Sequence, residues 1–178
     1  MPAARAEGTG ASADHRGGQC SDIEHGRLFD AVSALVGVRQ VVAYEAQAAI
    51  ELEGISRDAD GGTTRYEFAV DASAAPTVIN PAPVLAAIVS DMRAGIRASV
   101  IGARFHRAVA ELIVDLAGAE DPVPQTVALT GGVFQNALLL RLARNGLVAK
   151  GFDVMTHHHV PPNDGGIALG QLMVGNAG

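Results

Sequence analysis

The sequence predicts a mixed α/β fold of about three strands and five or six helices. Two strand-to-helix turns stand close together between Val127 and Gln171, one rich in glycine and one carrying an aspartate. Upstream, Val84, Leu85, Ile88, Val89 and Met92, then Phe105, Val109, Leu112, Ile113 and Leu116, recur at helical spacing and form two apolar stripes. Hydrophobic residues fill 48% of the 178 positions and charged residues 18%, which suits one domain with a real core. Aromatic residues are 4% and tryptophan is absent, so that core must be mostly Ala, Val, Leu and Ile.

Composition also excludes several classes. A net charge of −6 leaves no broad basic face for nucleic acid. The single cysteine, Cys20, rules out a disulfide framework or a cysteine metal cluster and fits a cytoplasmic protein. No apolar run reaches the roughly 18 residues that span a bilayer. Internal repeats are not visible.

In chain order, residues 1–25 read as a disordered tail, because the first twenty are rich in Ala, Gly, Ser and Arg without a period. They also lack the apolar core of a signal peptide. Residues 26–178 form the folded part. In 26–36, Phe29, Val32, Leu35 and Val36 share a helical face, and Asp30 lies off it. Residues 44–55 are a second helix with an apolar line of Ala48, Leu52 and Ile55, while Gln47 and Glu51 share another face. On pattern alone Asp30 and the Gln47–Glu51 pair are solvated helix surface. A polar turn follows, and TRYEFAV (64–70) alternates as a strand should. Asn80 and Pro81 start a helix, as cap and first helical residue. The helix at 99–117 carries His106 beside its apolar stripe, where a packed or partly exposed histidine is the ordinary reading. Residues 119–125, with Pro122 and Pro124, link it to the next strand.

The C-terminal third holds the chemistry. Val127 to Leu129 is a short apolar run suited to a buried strand. Thr130, Gly131 and Gly132 follow, ahead of a helical pattern of Phe134, Leu138 and Leu142. A glycine pair at a helix N-terminus exposes backbone N–H groups to an anion with no side chain in the way. Gly151 stops the helix, 152–155 is a strand, and PPNDGG opens a last helix at 167–174. Asp164 stands at or near an N-cap there. A glycine turn beside an aspartate turn suggests a nucleotide with its metal. His157, His158 and His159 alternate faces in an extended segment, so they suit a polar strand exit better than a metal site.

TGGVFQN (130–136) followed by PPNDGGIALGQ (161–171) resembles the end of the hydrogenase-maturation carbamoyltransferases, the HypF family. GRLFDAVSALVGV (26–38), YEAQAAIELE (44–53) and FHRAVAELI (105–113) match that family in the same order. The resemblance implies one lobe of an actin/Hsp70-like (ASKHA) nucleotide-binding fold, a fragment of the two-lobe unit. Its ligands would be ATP or carbamoyl-adenylate and a divalent or ferric ion, zinc or iron. Asp30 and Glu51 would meet ribose hydroxyls, Gly131 and Gly132 phosphate oxygens, Asn136 (one helical turn in) the nucleotide, and Asp164 the metal. Ala46 departs from the family, which usually has Gly there, and its methyl is expected to crowd a sugar.

The implied reaction passes a carbamoyl group to the C-terminal cysteine of a HypE-like acceptor. The remainder of the HypF polypeptide would be a further partner. No nucleophile setting and no upstream HHxxH-like histidine block occur in this sequence, so no catalytic residue is assigned. The chain alone is expected to be inactive. Two alternatives stand beside this reading: a truncated non-catalytic remnant that still binds nucleotide, and a TsaD-like or O-carbamoyltransferase relative.

Overall fold

The computed structural model describes residues 22–74, 76–120 and 122–176, the side chains of 22–26 excepted. Helix α1 spans Asp22–Leu35. It starts four residues before the boundary expected at Gly26, so 22–25 belong to a helix and not to a tail. The rest of that expected tail lies outside the described residues. Phe29 and Val32 form its buried face. Gly37, at φ 78°, ends it. The Val38 N–H reaches back to the Ser33 carbonyl at 2.9 Å and the Gly37 N–H to Ala34 at 3.2 Å, which satisfies the last carbonyls.

Helix α2, Gln47–Ser56, begins three residues later than the expected start at Tyr44. The strand expected at 64–70 shrinks to β1, Ala69–Asp71, which pairs antiparallel with β2, Val78–Asn80. Residues 64–68 stay irregular because their neighbourhood is held by side chains. Arg107 donates to the carbonyls of Gly62 and Thr64, both at 2.8 Å, and Arg104 donates to Gly61 at 2.8 Å. Tyr66 is buried and donates its hydroxyl to Asp91, which also receives Arg104 at 2.6 Å. Burial, then the Asp91 carboxylate, holds the Tyr66 phenol far above its usual range. Helix α3 runs Ala82–Arg93 with Pro81 as its N-cap, one residue later than expected, and Asn80, just outside, accepts from the Ala82 N–H at 2.9 Å.

Helix α4, Ala98–Ala119, is the centre of the domain, with nine buried residues including Ile101, Phe105, Val109 and Leu112. Small residues set its crossings. A Cβ at Gly102 would lie 2.0 Å from Ser56 Oγ of α2. The strand β3 is Thr126–Leu129, and α5, Ala137–Ala149, crosses to β4, Asp153–Thr156, which pairs parallel with β3. A Cβ at Gly146 of α5 would lie 2.8 Å from Val114 Cγ2, so α5 also seats closely on α4. Gly151, at φ 91°, stops α5 as expected. Helix α6, Ile167–Gly175, closes the described chain and buries none of its residues. No helix among the described residues is long and apolar enough to cross a membrane.

Candidate functional site

The parallel pair β3 and β4 sends its two C-terminal ends into neighbouring turns, the place where open α/β sheets hold ligands. The turns are bonded to each other. The Gly131 N–H donates to the Pro162 carbonyl at 2.8 Å, and Thr130 Oγ1 lies 2.9 Å from His157 Nε2. Gly131 sits at φ 101°, ψ 159°, a conformation closed to residues with a side chain. Gly132 is different. Its backbone is not in the positive-φ region, and an added Cβ would meet only Asn163 Cβ at 3.8 Å.

The glycine pair does not open α5 directly, contrary to the sequence reading. A single 3-10 turn, Gly132–Gln135, intervenes, and Asn136 is the N-cap of α5 rather than a residue one turn inside it. Asn136 Oδ1 accepts from the Leu139 N–H at 2.9 Å, and Glu53 Oε1 of α2 accepts from Leu138 at 3.3 Å. The head of α5 is therefore partly satisfied by protein acceptors. The N–H groups of Gly132 and Val133 have no protein acceptor among the described residues. Any anion at this junction would meet those two donors.

Asp30 is exposed on α1, a helix that touches the Gly132–Gln135 turn and packs on α2. Glu51 is part-buried and already engaged. Arg39 grips both its oxygens, at 2.8 and 2.7 Å, and Gln47 Nε2 donates at 2.9 Å. Hydrogen bonds from Arg39, then from Gln47, hold the Glu51 carboxyl below its ordinary range. Gln47 in turn accepts from the Ala43 N–H at 2.7 Å, so the set ties the α1–α2 loop to α2. Ala46, just before α2, is the one non-glycine residue with positive φ among those described, at 61°. A glycine at this position would be favoured by the backbone itself.

Asp164 opens a 3-10 turn, Asp164–Gly166, and is exposed. The cap of that turn is Asn163, which accepts from the Gly165 N–H at 3.1 Å. Asp164 is thus free of the capping role that competed with a ligand role. It still offers one carboxylate only. No group of three His, Cys, Asp or Glu residues capable of holding a metal occurs among the described residues, so those residues do not by themselves fit a metal ion. His158 lies 3.3 Å from Thr156 Oγ1, His157 faces Thr130, and the three histidines do not converge.

Sequence reasoning missed His106 as the hub of this region. Its ring is fully buried and forms a triangle with Phe29 and Phe105, edge-on to both. Nδ1 lies 2.7 Å from the Gly102 carbonyl and Nε2 2.9 Å from Asn136 Nδ2. Burial lowers its pKa from the ordinary 6.5, against smaller opposing effects of Gly102 and Glu53. A histidine beside an apolar stripe carries no sign of a partner thirty positions away, so no local signal pointed to it. Shallow grooves open on the side of α2 and α5, the larger about 360 Å³ and lined by Arg57, Asp58, Ala137, Leu138 and Arg141. Neither Gly131 nor Asp164 lines them.

Comparison with known proteins agrees with this architecture. A family model described as the second subdomain of the Kae1-like carbamoyltransferase domain matches residues 16–171. Carbamoyltransferase HypF of Rhodobacter capsulatus is 37% identical over 157 residues, 85% of this chain and 19% of the relative. The Synechocystis HypF is 33% identical over 148 residues, again 19% of its length. Among solved structures, full-length HypF in the phosphate- and nucleotide-bound form superimposes with a TM-score of 0.77 at 41% identity, over 85% of this chain and 24% of that one. T. kodakarensis HypF gives 0.67 at 27% identity, over 84% of this chain and 19% of that one. With a parallel strand pair, its crossover helix and the two bonded turns in place, the chain belongs to the HypF carbamoyltransferases, as the second subdomain of their Kae1-like domain.

Proposed function

We propose that this segment is the nucleotide-closing lobe of a carbamoyltransferase that moves a carbamoyl group from carbamoyl-adenylate to the C-terminal cysteine of a HypE-like acceptor during [NiFe]-hydrogenase maturation. The observation that carries the reading is Gly132. Its backbone tolerates a side chain and the space above it is open, so the fold has no need of glycine there. A ligand approaching the Gly132 and Val133 N–H groups does. Phosphate oxygens of ATP or the adenylate take that place. Asp30 and the remaining lone pair of Glu51 face the ribose, and each end of Asn136 keeps one hydrogen-bonding position for the nucleotide. A solved HypF that holds phosphate and nucleotide supports a nucleotide as the ligand.

The test places Gly132→Val in a complete enzyme carrying this segment and measures ATP affinity by calorimetry. The expected loss is at least tenfold, about 1.4 kcal/mol. Unchanged affinity removes the turn from the site. Gly132→Ala in the chain itself should leave stability within roughly 0.5 kcal/mol, since the added methyl meets nothing tight.

The 178-residue chain lacks the preorganised surroundings that transfer needs, so it should leave HypE unmodified when mixed with carbamoyl phosphate and ATP. A carbamoylated HypE peptide above the no-enzyme control, seen by mass spectrometry, refutes that. Asp164 would ligate a metal only alongside donors from outside the described residues. Asp164→Asn should cost no stability, because Asn163 is the cap, and should lower metal content in the complete enzyme. Full metal occupancy in that variant excludes Asp164 as a ligand.

A further inference from the structure

The Gly132–Gln135 turn is anchored at both ends, and the two anchors differ in kind. Upstream, Gly131 is tied to the Pro162 carbonyl, a bond indifferent to pH. Downstream, Asn136 is tied to His106, a group that titrates. The protonation pattern follows from the partners. The Gly102 carbonyl can only accept, so His106 Nδ1 carries the hydrogen and donates across 2.7 Å. Nε2 is then bare and accepts from Asn136 Nδ2 at 2.9 Å. That fixes the amide: Nδ2 faces His106 and Oδ1 faces the Leu139 N–H, where it caps α5 at 2.9 Å. One tautomer satisfies every group in this set.

We propose that His106 is a positioning residue, which as the neutral ring with its hydrogen on Nδ1 locks Asn136 as the cap of α5 and so holds the Gly132 and Val133 donors in place for an anionic ligand. The proposal rests on the reading of this turn as a phosphate site. A proton added at Nε2 sets two donors against each other, His106 Nε2–H and Asn136 Nδ2–H. Turning the amide over relieves that pair and creates a second one, Nδ2–H against the Leu139 N–H. Either way the cap bond or the His106 bond is lost and the turn loosens.

The surroundings favour the neutral ring. Phe29 of α1 and Phe105 of α4 cover it and carry no charge. From the turn, Asn136 is uncharged. Glu53 of α2 is the charged group acting on the ring, and its carboxylate is shared with Arg57 at 3.0 Å and with the Leu138 N–H. Burial outweighs it. Neutral His106 therefore persists to lower pH than a free histidine, and the lock opens only on acidification below pH 6.5.

The spectra are taken on this chain, and ATP binding is measured in a complete enzyme carrying this segment. Ring ¹⁵N shifts in long-range ¹H–¹⁵N spectra should show the Nδ1–H tautomer at pH 7.5. Acidification should move the Leu139 amide and the Asn136 side-chain signals together with the His106 ring. ATP, titrated by calorimetry between pH 5 and 8, should bind more weakly at the acid end. His106→Phe, which removes the acceptor, should bind ATP at least tenfold more weakly at pH 7.5. His106→Gln keeps a neutral acceptor near Nε2, so it should retain affinity at pH 7.5 and show a shallower pH profile than the wild type, leaving only the titration of the ATP phosphate itself. An Nε2–H tautomer overturns the proposal, as does wild-type affinity in a folded His106→Phe protein. Should His106→Phe fail to fold, the Gln variant decides: an unchanged pH profile there overturns it too. Gly132→Val in the same assay separates the two readings. If ATP binding ignores Gly132, the phosphate site fails, while the coupled His106 and Leu139 shifts still report on the lock.

Discussion

Helices α4 and α6 show opposite relations between composition and burial. The longer helix, Ala98–Ala119, mixes Arg104, Arg107, Glu111 and Asp115 with apolar residues, and it buries nine residues. The shorter, Ile167–Gly175, contains no charged residue and buries none. Leu172, Met173 and Val174 are 70%, 65% and 77% exposed. A one-sided stripe finds its cover within this domain, whereas a helix that is apolar all round needs cover on every side. It packs chiefly on the short turn that leads into it. The same holds for the strands, since parallel pairs are normally covered on both faces, and here Met155 of β4 is 61% exposed. Ile50 and Ile55 of α2 are exposed too, but α6 shows more apolar surface.

The largest expected effect breaks that contrast directly. Phe105→Ala empties a fully buried site against Phe29 and should cost about 3–5 kcal/mol, measured by urea unfolding. Leu172→Ala, on the more apolar helix, should cost less than about 0.5 kcal/mol. Equal losses would mean that α6 is seated in solution. Exposed apolar patches beyond a few hundred Å² tend to find partners, so the chain should self-associate in light scattering across a concentration series. Leu172→Glu with Met173→Glu should return it toward the monomer. A wild-type chain that stays monomeric at every concentration would show that α6 is already covered.

A smaller effect sharpens how α4 gathers its neighbours. Gly102→Ala brings a methyl to 2.0 Å from Ser56 Oγ and 3.1 Å from Leu52 Cδ1, so α2 must move off α4. Overpacking of this kind costs roughly 1–3 kcal/mol. Ser56→Ala should recover part of it, because the nearest atom is removed. No recovery in the double variant would place the strain on Leu52 instead.

These contacts also explain what was legible in the sequence. Periodicity located α1, α3, α4 and α5, because each buries one face and the pattern records it. Gly151 marked a helix end through backbone geometry, a local property. Strand β2 escaped notice, since its three residues are exposed or half-buried and its partner is equally short. At the site, the two turns and their adjacency were legible. Asn136 was placed one turn too deep, and the partners of Glu51 and Asn136 were not legible, because Arg39 and His106 stand twelve and thirty positions away. Long-range side-chain partners leave no period to read.

Ala46 offers the smallest change and the sharpest one, because it acts on backbone alone. Its φ of 61° and ψ of 6° lie in the left-handed region, and no side-chain cap bond offsets the strain at the head of α2. An alanine there costs roughly 1–2 kcal/mol relative to an unstrained conformation, and glycine avoids most of that. Glycine also gains freedom in the unfolded chain, which returns part of the benefit. Ala46→Gly should therefore stabilise the domain by about 1 kcal/mol in urea unfolding. The Arg39–Glu51–Gln47 network, which ties down the same loop, should be unchanged in side-chain NMR. If the methyl instead acted by crowding a sugar, the glycine variant would tighten ATP binding in a complete enzyme and leave stability where it was. Tighter binding without added stability would assign Ala46 to the ligand, and added stability without tighter binding would assign it to the turn.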